Sequence, residues 1–203
     1  MAKNGVFIVI EGLDGSGKTT QANLLAAELA KTRKVWLTAE PSHGKIGSFI
    51  RECCLYEDTR LPTEAEALLF AADRIEHLQT EIKPALDAGK VVICDRYTYS
   101  SLAYQGSAGL SLDWIKTINA RALEPDFAIF IDVSPEKVIE RLQRKRSVME
   151  TLDTQKKVRE VYLKYVEKGE LISIDGDKPK EAVAGALFVK VSEMLKRANG
   201  FSL

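Results

Sequence analysis

Residues 6–20 read VFIVIEGLDGSGKTT, and this stretch decides the fold. It joins a short apolar run, residues 6–10, to a loop that fits the pattern G-x-x-x-x-G-K-[ST] in full. An amphipathic segment carrying Leu24, Leu25 and Leu29 follows the loop. The order therefore predicts a buried strand, a phosphate-binding loop and a helix, and it indicates a protein that binds a nucleoside triphosphate with Mg²⁺.

The residue types of this loop suit a polyphosphate. Glycines allow the backbone to approach the ligand closely, and the N–H groups at the start of a helix attract anions. Lys18 supplies a cation to the β- and γ-phosphates, and the Thr19 hydroxyl can ligate Mg²⁺. The residues predicted to bind the ATP phosphates are Gly12, Asp14, Gly15, Ser16, Gly17, Lys18, Thr19 and Thr20.

Outside this stretch, short apolar runs alternate with longer amphipathic segments. Strands are predicted at Val6–Glu11, Val35–Ala39, Val91–Asp95, Phe127–Asp132 and Leu171–Asp175. Helices are predicted at Lys18–Thr32, Lys45–Cys54, Thr63–Ala88, Leu112–Ala122, Pro135–Arg146, Asp153–Lys168 and Pro179–Asn199. The strands are mostly apolar on both faces. This alternation predicts an α/β fold of the P-loop NTPase type, a three-layer sandwich of about five parallel strands with helices on both faces.

Composition narrows the class of protein. With 203 residues the chain is expected to form one domain, residues 1–203. Lys plus Arg and Asp plus Glu both total 29, and this balance argues against a general nucleic-acid binder. The apolar runs are too short to cross a membrane or to form a secretory signal. Three cysteines without a CxxC pair predict thiols in a reducing compartment, so we expect a cytoplasmic protein.

Two acids end apolar strands and are candidates to hold Mg²⁺. Asp95 follows residues 91–94, and Asp132 follows residues 127–131. We prefer Asp95, because Arg96 comes next and an Asp-Arg pair beside a phosphate site can hold both metal and phosphate. Asp132 can equally serve as the cap of the helix predicted from Pro135.

Two further patterns suggest substrate contacts. Phe70 and Arg74 are four residues apart, so they lie on one helix face, where a ring can stack on a heterocycle and a guanidinium can donate to its carbonyl. Phe70 can equally be a core residue. The basic run at residues 140–146 is either a solvated helix end or part of a lid that carries an arginine to the transferring phosphate.

Taken together, these motifs resemble the thymidylate kinase family of nucleoside monophosphate kinases. The resemblance extends over nearly the whole chain. Beyond the phosphate loop it rests on the segments Thr38–Pro41, Ile46-Gly47 with Arg51, Leu68–Arg74, Asp95–Tyr97, Ser100-Ser101, Ala103–Gly106, Pro125-Asp126, Asp132–Pro135 and Val158–Tyr162.

The resemblance implies that the chain transfers a phosphoryl group from Mg·ATP to dTMP, as a homodimer. The dTMP-binding residues it implies are Asp14, Glu40, Arg51, Phe70, Arg74, Arg96, Ser100, Ser101, Tyr104 and Gln105. Phe70 would stack on thymine and Arg74 would donate to its O4 atom. Tyr104 would pack against the deoxyribose, with Asp14 near its 3′-hydroxyl, and Arg51 and Arg96 would hold the acceptor phosphate.

The catalytic residues implied are Lys18, Arg96, Arg141 and Arg144, and the metal ligands are Thr19 and Asp95. Gly15 stands where one branch of the family has arginine, so a catalytic arginine is expected from a short lid at about residues 141–153, where Arg146 is a further candidate. Ala39 also departs from the usual arginine. The alternatives that stay open are a kinase for another nucleoside monophosphate or a nucleoside, and a P-loop ATPase switch.

Overall fold

The computed structural model describes residues 5–54, 61–142 and 151–199. Within these ranges five strands form one parallel sheet in the order β2-β3-β1-β4-β5. The strands are β1 (Val6–Gly12), β2 (Val35–Ala39), β3 (Val91–Asp95), β4 (Phe127–Asp132) and β5 (Ile172–Asp175). The predicted α/β fold with a parallel sheet is confirmed.

Helices connect the strands and cover the sheet. They are α1 (Lys18–Leu29), α2 (Lys45–Cys53), α3 (Thr63–His77), α4 (Lys83–Asp87), α5 (Thr98–Ser107), α6 (Leu112–Ile118), α7 (Pro135–Arg141), α8 (Leu152–Glu167) and α9 (Lys180–Asn199). None of the helices in the described part of the chain is long and apolar enough to cross a membrane.

The central strands of the sheet are buried, whereas the edge strands β2 and β5 are partly exposed. Every residue of β1 and of β3 is buried. The two edge strands are less buried: in β2, Trp36 is 38% and Leu37 is 37% exposed, and in β5 Ser173 and Asp175 are exposed. The strand order explains the difference, since β2 and β5 form the two edges of the sheet, where water reaches them.

The segment predicted as one helix over Thr63–Ala88 contains two α-helices. A π-helical turn, Leu78–Ile82, separates α3 from α4. Pro84 follows this turn and has no N–H to donate to the carbonyl four residues earlier, so the regular α-helical pattern cannot run through it.

The sequence pattern predicts no helix between Arg96 and Leu112, and this was wrong, because α5 occupies residues 98–107. Its Ser, Thr, Tyr and Gly residues are poor helix formers. The helix begins where a distant carboxylate supplies acceptors, as Glu11 Oε1 accepts from the backbone N–H groups of Tyr97 (2.8 Å) and Ser100 (3.2 Å).

The helix predicted over Pro135–Arg146 is α7, which ends at Arg141. The predicted lid, residues 141–153, is described only at its two ends, so Arg144 and Arg146 lie outside the described residues. On the far side, the Thr151 side chain accepts from the backbone N–H of Thr154 at the start of α8.

Candidate active site

The loop between β1 and α1 has the backbone that its glycines predict. Gly15 has φ 81° and Gly17 has φ 89°, values that glycine adopts without steric cost. Gly17 is the N-cap residue of α1, so the first backbone N–H groups of that helix, which have no partner within the helix, face the loop. An anion is stabilised at such a position.

Lys18 lies inside this loop. Its side chain is buried, and Nζ donates to the carbonyl of Leu13 at 2.7 Å. Burial is the main cause that lowers the pKa of Lys18 to about 8, and the nearby Arg96 cation lowers it further, while Asp14, Asp95 and Glu11 act in the opposite direction. The negative charge of a bound polyphosphate would stabilise the Lys18 ammonium group, which burial deprives of solvating water.

Thr19 and Asp95 meet at the mouth of the loop. The Thr19 hydroxyl donates to Asp95 Oδ2 at 2.5 Å, whereas Asp95 Oδ1 is buried and has no hydrogen-bond partner among the described residues. Asp132, the alternative acid, is held by Arg159, whose Nε and Nη2 donate to its two oxygens at 2.7 and 2.9 Å. Asp95 is therefore the acid available to a cation at the phosphate loop.

These residues open onto a cleft of about 440 Å³. It is lined by Asp14, Gly15, Gly17, Lys18, Thr19, Thr20, Glu40, Asp95 and Arg96. Gly12 and Ser16, also predicted to bind phosphate, are buried beneath it. The cleft thus gathers the phosphate loop, both candidate metal ligands and one arginine of the predicted acceptor site.

Arg96 has an unusual backbone. It follows β3 directly and has φ 72°, the only positive value at a residue other than glycine in the described ranges. Its guanidinium pairs with the Asp14 carboxylate, donates to Ser100 Oγ at 3.0 Å and to the Tyr104 hydroxyl at 3.3 Å, and stacks over the Tyr104 ring at 4.9 Å. Strained residues of this kind concentrate at functional sites.

A second cavity, of about 210 Å³, adjoins the cleft. It is lined by Asp14, Glu40, Pro41, Cys54, Glu66, Phe70, Arg74, Arg96, Tyr97, Ser100, Ser101, Tyr104 and Gln105. Asp14, Glu40 and Arg96 border both spaces. Molecules bound in the two cavities would therefore meet at Asp14 and Arg96.

Phe70 and Arg74 lie on the same wall of this cavity, as their spacing predicts. The guanidinium of Arg74 is buried, and all five of its N–H groups face protein acceptors. Nε and Nη2 donate to Glu40 Oε2 at 2.9 and 2.7 Å, and Nη2 also donates to the Tyr97 carbonyl at 3.1 Å. Nη1 donates to Ser101 Oγ at 3.2 Å and to Asn119 Oδ1.

Other polar groups of the cavity have distinct surroundings. Gln105 Oε1 is buried and lacks a hydrogen-bond partner among the described residues. The Tyr104 hydroxyl accepts from the backbone N–H of Asp14 at 3.0 Å, and so connects α5 to the phosphate loop. Ser100 Oγ donates to Glu11 Oε2 at 2.6 Å and accepts from Arg96, so it serves Arg96 more directly than it serves a ligand.

Two predicted arginines lie elsewhere. Arg51 does not line the cavity; its guanidinium donates to the carbonyls of Pro41 (2.7 Å) and Ser42 (2.6 Å) and so supports the loop that borders it. Arg141, at the end of α7, donates to the Gly176 carbonyl at 3.5 Å. A Cβ atom added at Gly15 would lie 3.1 Å from Cδ2 of Leu142, so the segment after α7 starts against the phosphate loop.

The chain is similar to known proteins over most of its length. A family model described as thymidylate kinase matches residues 10–186 of the chain. The chain belongs to the thymidylate kinase family. The match covers the phosphate loop, β3 and α3, and therefore every residue that lines the two cavities.

Individual members of the thymidylate kinase family are similar over most of their length. The chain is 50% identical to a probable thymidylate kinase of Pyrococcus abyssi over 171 residues, which are 80% of this chain and 83% of that protein. It is 41% identical to a probable thymidylate kinase of Pyrobaculum aerophilum, covering 96% and 98%. It is 38% identical to a thymidylate kinase of Halothermothrix orenii, covering 94% and 98%.

The cavity residues Pro41, Cys54, Glu66 and Tyr97 were not predicted as site residues, and neither were Glu11 and Asn119, which support the site from behind. Glu11 is fully buried behind Arg96 and accepts from Ser100 and from the Tyr162 hydroxyl (2.9 Å). A charged residue at the end of the apolar run 6–10 was a signal for it. Asn119, which contacts Arg74, follows α6 and has no comparable signal, because its partner is 45 positions away.

Proposed function

We propose that the chain transfers the γ-phosphoryl group of ATP to dTMP and releases ADP and dTDP. The observation that carries the proposal is the pair of adjoining cavities in a member of the thymidylate kinase family. One cavity contains the phosphate loop, the other contains Phe70 and Arg74, and they share Asp14 and Arg96. A donor phosphate and an acceptor phosphate bound in these spaces would meet at one place, which is what direct phosphoryl transfer needs.

The base of dTMP would lie between Phe70 and Gln105 in the acceptor cavity. Phe70 offers a ring for stacking, and Gln105 Oε1, buried without a partner among the described residues, suits the N3–H donor of thymine. Arg74 has no spare donor, so a bond to thymine O4 requires an exchange. We propose that the O4 atom replaces Ser101 Oγ, whose 3.2 Å hydrogen bond to Arg74 is the longest of the set.

The sugar and the acceptor phosphate would lie nearer the cleft. Tyr104 packs beside Arg96 and would disfavour a 2′-hydroxyl on the sugar, and the Asp14 carboxylate can accept from a 3′-hydroxyl. Arg96 is the cation at the junction and would hold the acceptor phosphate. Arg51 supports this site through the carbonyls of Pro41 and Ser42.

The transfer step needs positioning and neutralisation of charge more than it needs a base, because the acceptor phosphate is already an anion. Lys18 and the N–H groups of the loop hold the donor phosphates. Arg96 opposes the repulsion between donor and acceptor. We propose that Arg141 or Arg144 adds a second arginine, since the segment after α7 starts against Gly15.

A magnesium ion fits the donor set at the cleft. Mg²⁺ prefers oxygen ligands, and the Thr19 hydroxyl and the Asp95 carboxylate are adjacent there, with one Asp95 oxygen unused by the described residues. We propose that these two residues hold the ion. Mg²⁺ held by these residues would supply positive charge that neutralises the charge developing on the phosphates.

A coupled assay of ADP release tests the function. Mg·ATP is combined with dTMP, dUMP, UMP, CMP, AMP, GMP or thymidine, or with no acceptor. We expect fast release with dTMP, slower release with dUMP and almost none without acceptor. Turnover with a different acceptor would replace dTMP in the proposal, and slow release that ignores every acceptor would favour an ATPase switch.

Two variants connect the activity to the cavities. Lys18→Ala should lower kcat by at least about 10²-fold, the scale for loss of one donor to a transition state. Lys31→Ala, an exposed lysine paired with Glu28, is the matched control. Arg74→Ala should raise KM for dTMP far more than KM for ATP, and equal effects on both would remove Arg74 from the acceptor site.

We further propose that two copies form a homodimer through α2 and α3. These helices pack against each other and expose Phe49 (49%), Leu68 (51%) and Ile75 (42%), a group of large apolar side chains that water solvates poorly. Leu68→Asp should shift the mass measured by light scattering from dimer to monomer. Val189→Asp on α9, 56% exposed, should leave it unchanged.

A further inference from the structure

Behind the acceptor cavity, Glu40 joins two buried side chains. Its Oε2 atom accepts from Nε and Nη2 of Arg74, at 2.9 and 2.7 Å. Its Oε1 atom lies 3.3 Å from Nδ1 of His77, which has no exposed surface. A carboxylate oxygen only accepts, so the hydrogen of this contact is on Nδ1 of His77.

The other ring nitrogen of His77 faces away from the cavity. Nε2 lies 2.7 Å from the Thr38 hydroxyl, which also lies 2.9 Å from Glu81 Oε2. With the imidazole hydrogen on Nδ1, the single hydrogen of that hydroxyl goes to one of these two acceptors at a time. Glu81 belongs to the π-helical turn that follows His77 directly. The imidazole therefore spans from the Glu40 carboxylate to strand β2, and His77 is not among the residues that line the acceptor cavity.

We propose that His77 is a positioning residue for the acceptor base: its Nδ1–H fixes the Glu40 carboxylate, and Glu40 fixes the guanidinium of Arg74. Glu40 is the only anion bound to Arg74 among the described residues, and Oε2 alone takes two of its hydrogens. Rotation of this carboxylate would move the arginine. His77 holds the second carboxylate oxygen and so prevents the rotation.

This inference rests on the proposed function, because it assigns a role within the dTMP site. It differs from a purely structural role, in which His77 ties α3 to β2 through Thr38. The two ring nitrogens separate these roles, since one faces Glu40 and the other faces Thr38. An asparagine amide nitrogen reaches about as far as Nδ1, and a glutamine amide nitrogen about as far as Nε2.

The first test compares three substitutions in the full chain. His77→Ala should raise KM for dTMP about tenfold, the scale for losing a hydrogen bond to a charged group, and leave KM for ATP unchanged. His77→Asn should restore KM for dTMP, and His77→Gln should not. If glutamine restores it and asparagine does not, or if both substrates are affected equally, the proposal is wrong.

Thr38→Val tests the same point without changing His77. Valine has nearly the shape of threonine and removes the contact to Nε2 but not the one to Glu40. We expect KM for dTMP to stay within about twofold of the wild type, even if thermal unfolding shows lower stability. A rise equal to that of His77→Ala would make the tie to β2 the essential contact and overturn the proposal.

A spectroscopic measurement on the free protein keeps this inference separate from the assignment of dTMP. The ¹H–¹⁵N signal of Arg74 Nε, identified by its loss in Arg74→Lys, reports the hydrogen bond to Glu40. We expect it to shift or broaden in His77→Gln and to keep its position in Thr38→Val. An unchanged signal in His77→Gln would refute the positioning role, whatever acceptor the wild type uses.

Discussion

The hydroxyl of Thr19 donates to Oδ2 of Asp95 across 2.5 Å, so the first turn of α1 and the end of β3 bring together two oxygen groups of the kind that Mg²⁺ prefers. The second oxygen of Asp95 is buried without a partner among the described residues. A magnesium ion would use it. Asp95→Asn should therefore raise the Mg²⁺ concentration for half-maximal activity by about 10- to 100-fold, the usual scale for changing a group that holds or orients a metal.

Asp132→Asn is the matched control for this prediction, because Asp132 also ends a strand of the sheet but both of its oxygens are engaged by Arg159. It should leave the Mg²⁺ dependence unchanged, whatever it does to thermal stability. Titration of the activity with Mg²⁺ at saturating ATP and dTMP measures both variants. If the Mg²⁺ concentration for half-maximal activity rises more in Asp132→Asn than in Asp95→Asn, the metal binds at the end of β4 instead.

The backbone angle of Arg96 is expected to lower the stability of the fold, whereas its side chain is expected to be needed for activity. Its φ of 72° disfavours any residue with a Cβ atom, at a cost of about 1–2 kcal/mol. Arg96→Ala and Arg96→Gly both lose the pair with Asp14, so their comparison isolates the backbone. Glycine avoids the cost of the positive φ, but its greater freedom in the unfolded chain offsets part of this gain. We therefore expect chemical denaturation to show the glycine variant more stable than the alanine variant by a net difference of about 1 kcal/mol.

Both Arg96 variants should lose activity to the same extent, at least about 10²-fold in kcat, because neither supplies a cation at the junction of the cavities. An alanine variant as stable as the glycine variant would show that the loop relaxes at no cost. The measurement needs only denaturation curves and the coupled assay.

Glu11 predicts a dependence of stability on pH. Burial raises the pKa of Glu11 above its ordinary value of 4.5, although hydrogen bonds from Ser100 and Tyr162 and the charge of Arg96 oppose the rise. The folded chain then binds this proton more tightly than the unfolded chain, so the free energy of unfolding falls as the pH rises above about 4.5. The glutamine side chain in Glu11→Gln does not titrate, so this contribution to the pH dependence is absent from that variant.

Denaturation of both proteins over a pH series checks the sign. The stability of the wild type, relative to Glu11→Gln, should be greatest and constant below about pH 4.5 and should decline as the pH rises above it. Subtracting the two curves removes the contributions of the other titrating groups. A difference that grows with pH would mean that the hydrogen bonds outweigh burial and that the pKa of Glu11 is lowered.

Local patterns predicted the parts of the site that lie close together in the chain. The phosphate loop follows from residues 12–19, and the common wall of Phe70 and Arg74 follows from their four-residue spacing. The strands were also recovered to within one residue at each end. In each case, neighbouring residues decide the structure, so a single sequence contains the information.

The parts that were not predicted depend on distant partners. Helix α5 has weak helix formers and begins where Glu11, 89 positions before Ser100, accepts its N–H groups. The N–H groups of Arg74 are all taken by protein acceptors, namely Glu40, Ser101, Asn119 and the Tyr97 carbonyl, and the sequence did not indicate this. No local pattern reveals how many acceptors a folded chain brings to one guanidinium.

Asn119 and Glu40 hold different nitrogens of the Arg74 guanidinium: Glu40 accepts from Nε and Nη2, and Asn119 accepts from Nη1. Its Oδ1 accepts from Arg74 Nη1, and its Nδ2 donates to the Ile115 carbonyl at 2.8 Å, which orients the amide. Asn119→Ala should free one donor of Arg74 and let the guanidinium move. We expect KM for dTMP to rise about tenfold and KM for ATP to stay the same.

Thr117→Ala is the control, since Thr117 lies in α6 two positions before Asn119, is exposed, and its hydroxyl donates to the Asp113 carbonyl at 2.8 Å. Asn119→Asp refines the test: a carboxylate would bind Nη1 more strongly than an amide does and would compete with the base for Arg74. It should therefore also raise KM for dTMP, although it keeps the oxygen. If the freed donor in Asn119→Ala instead lowers KM for dTMP, Asn119 competes with thymine for Arg74, and the atom that thymine O4 replaces is Asn119 Oδ1 rather than Ser101 Oγ.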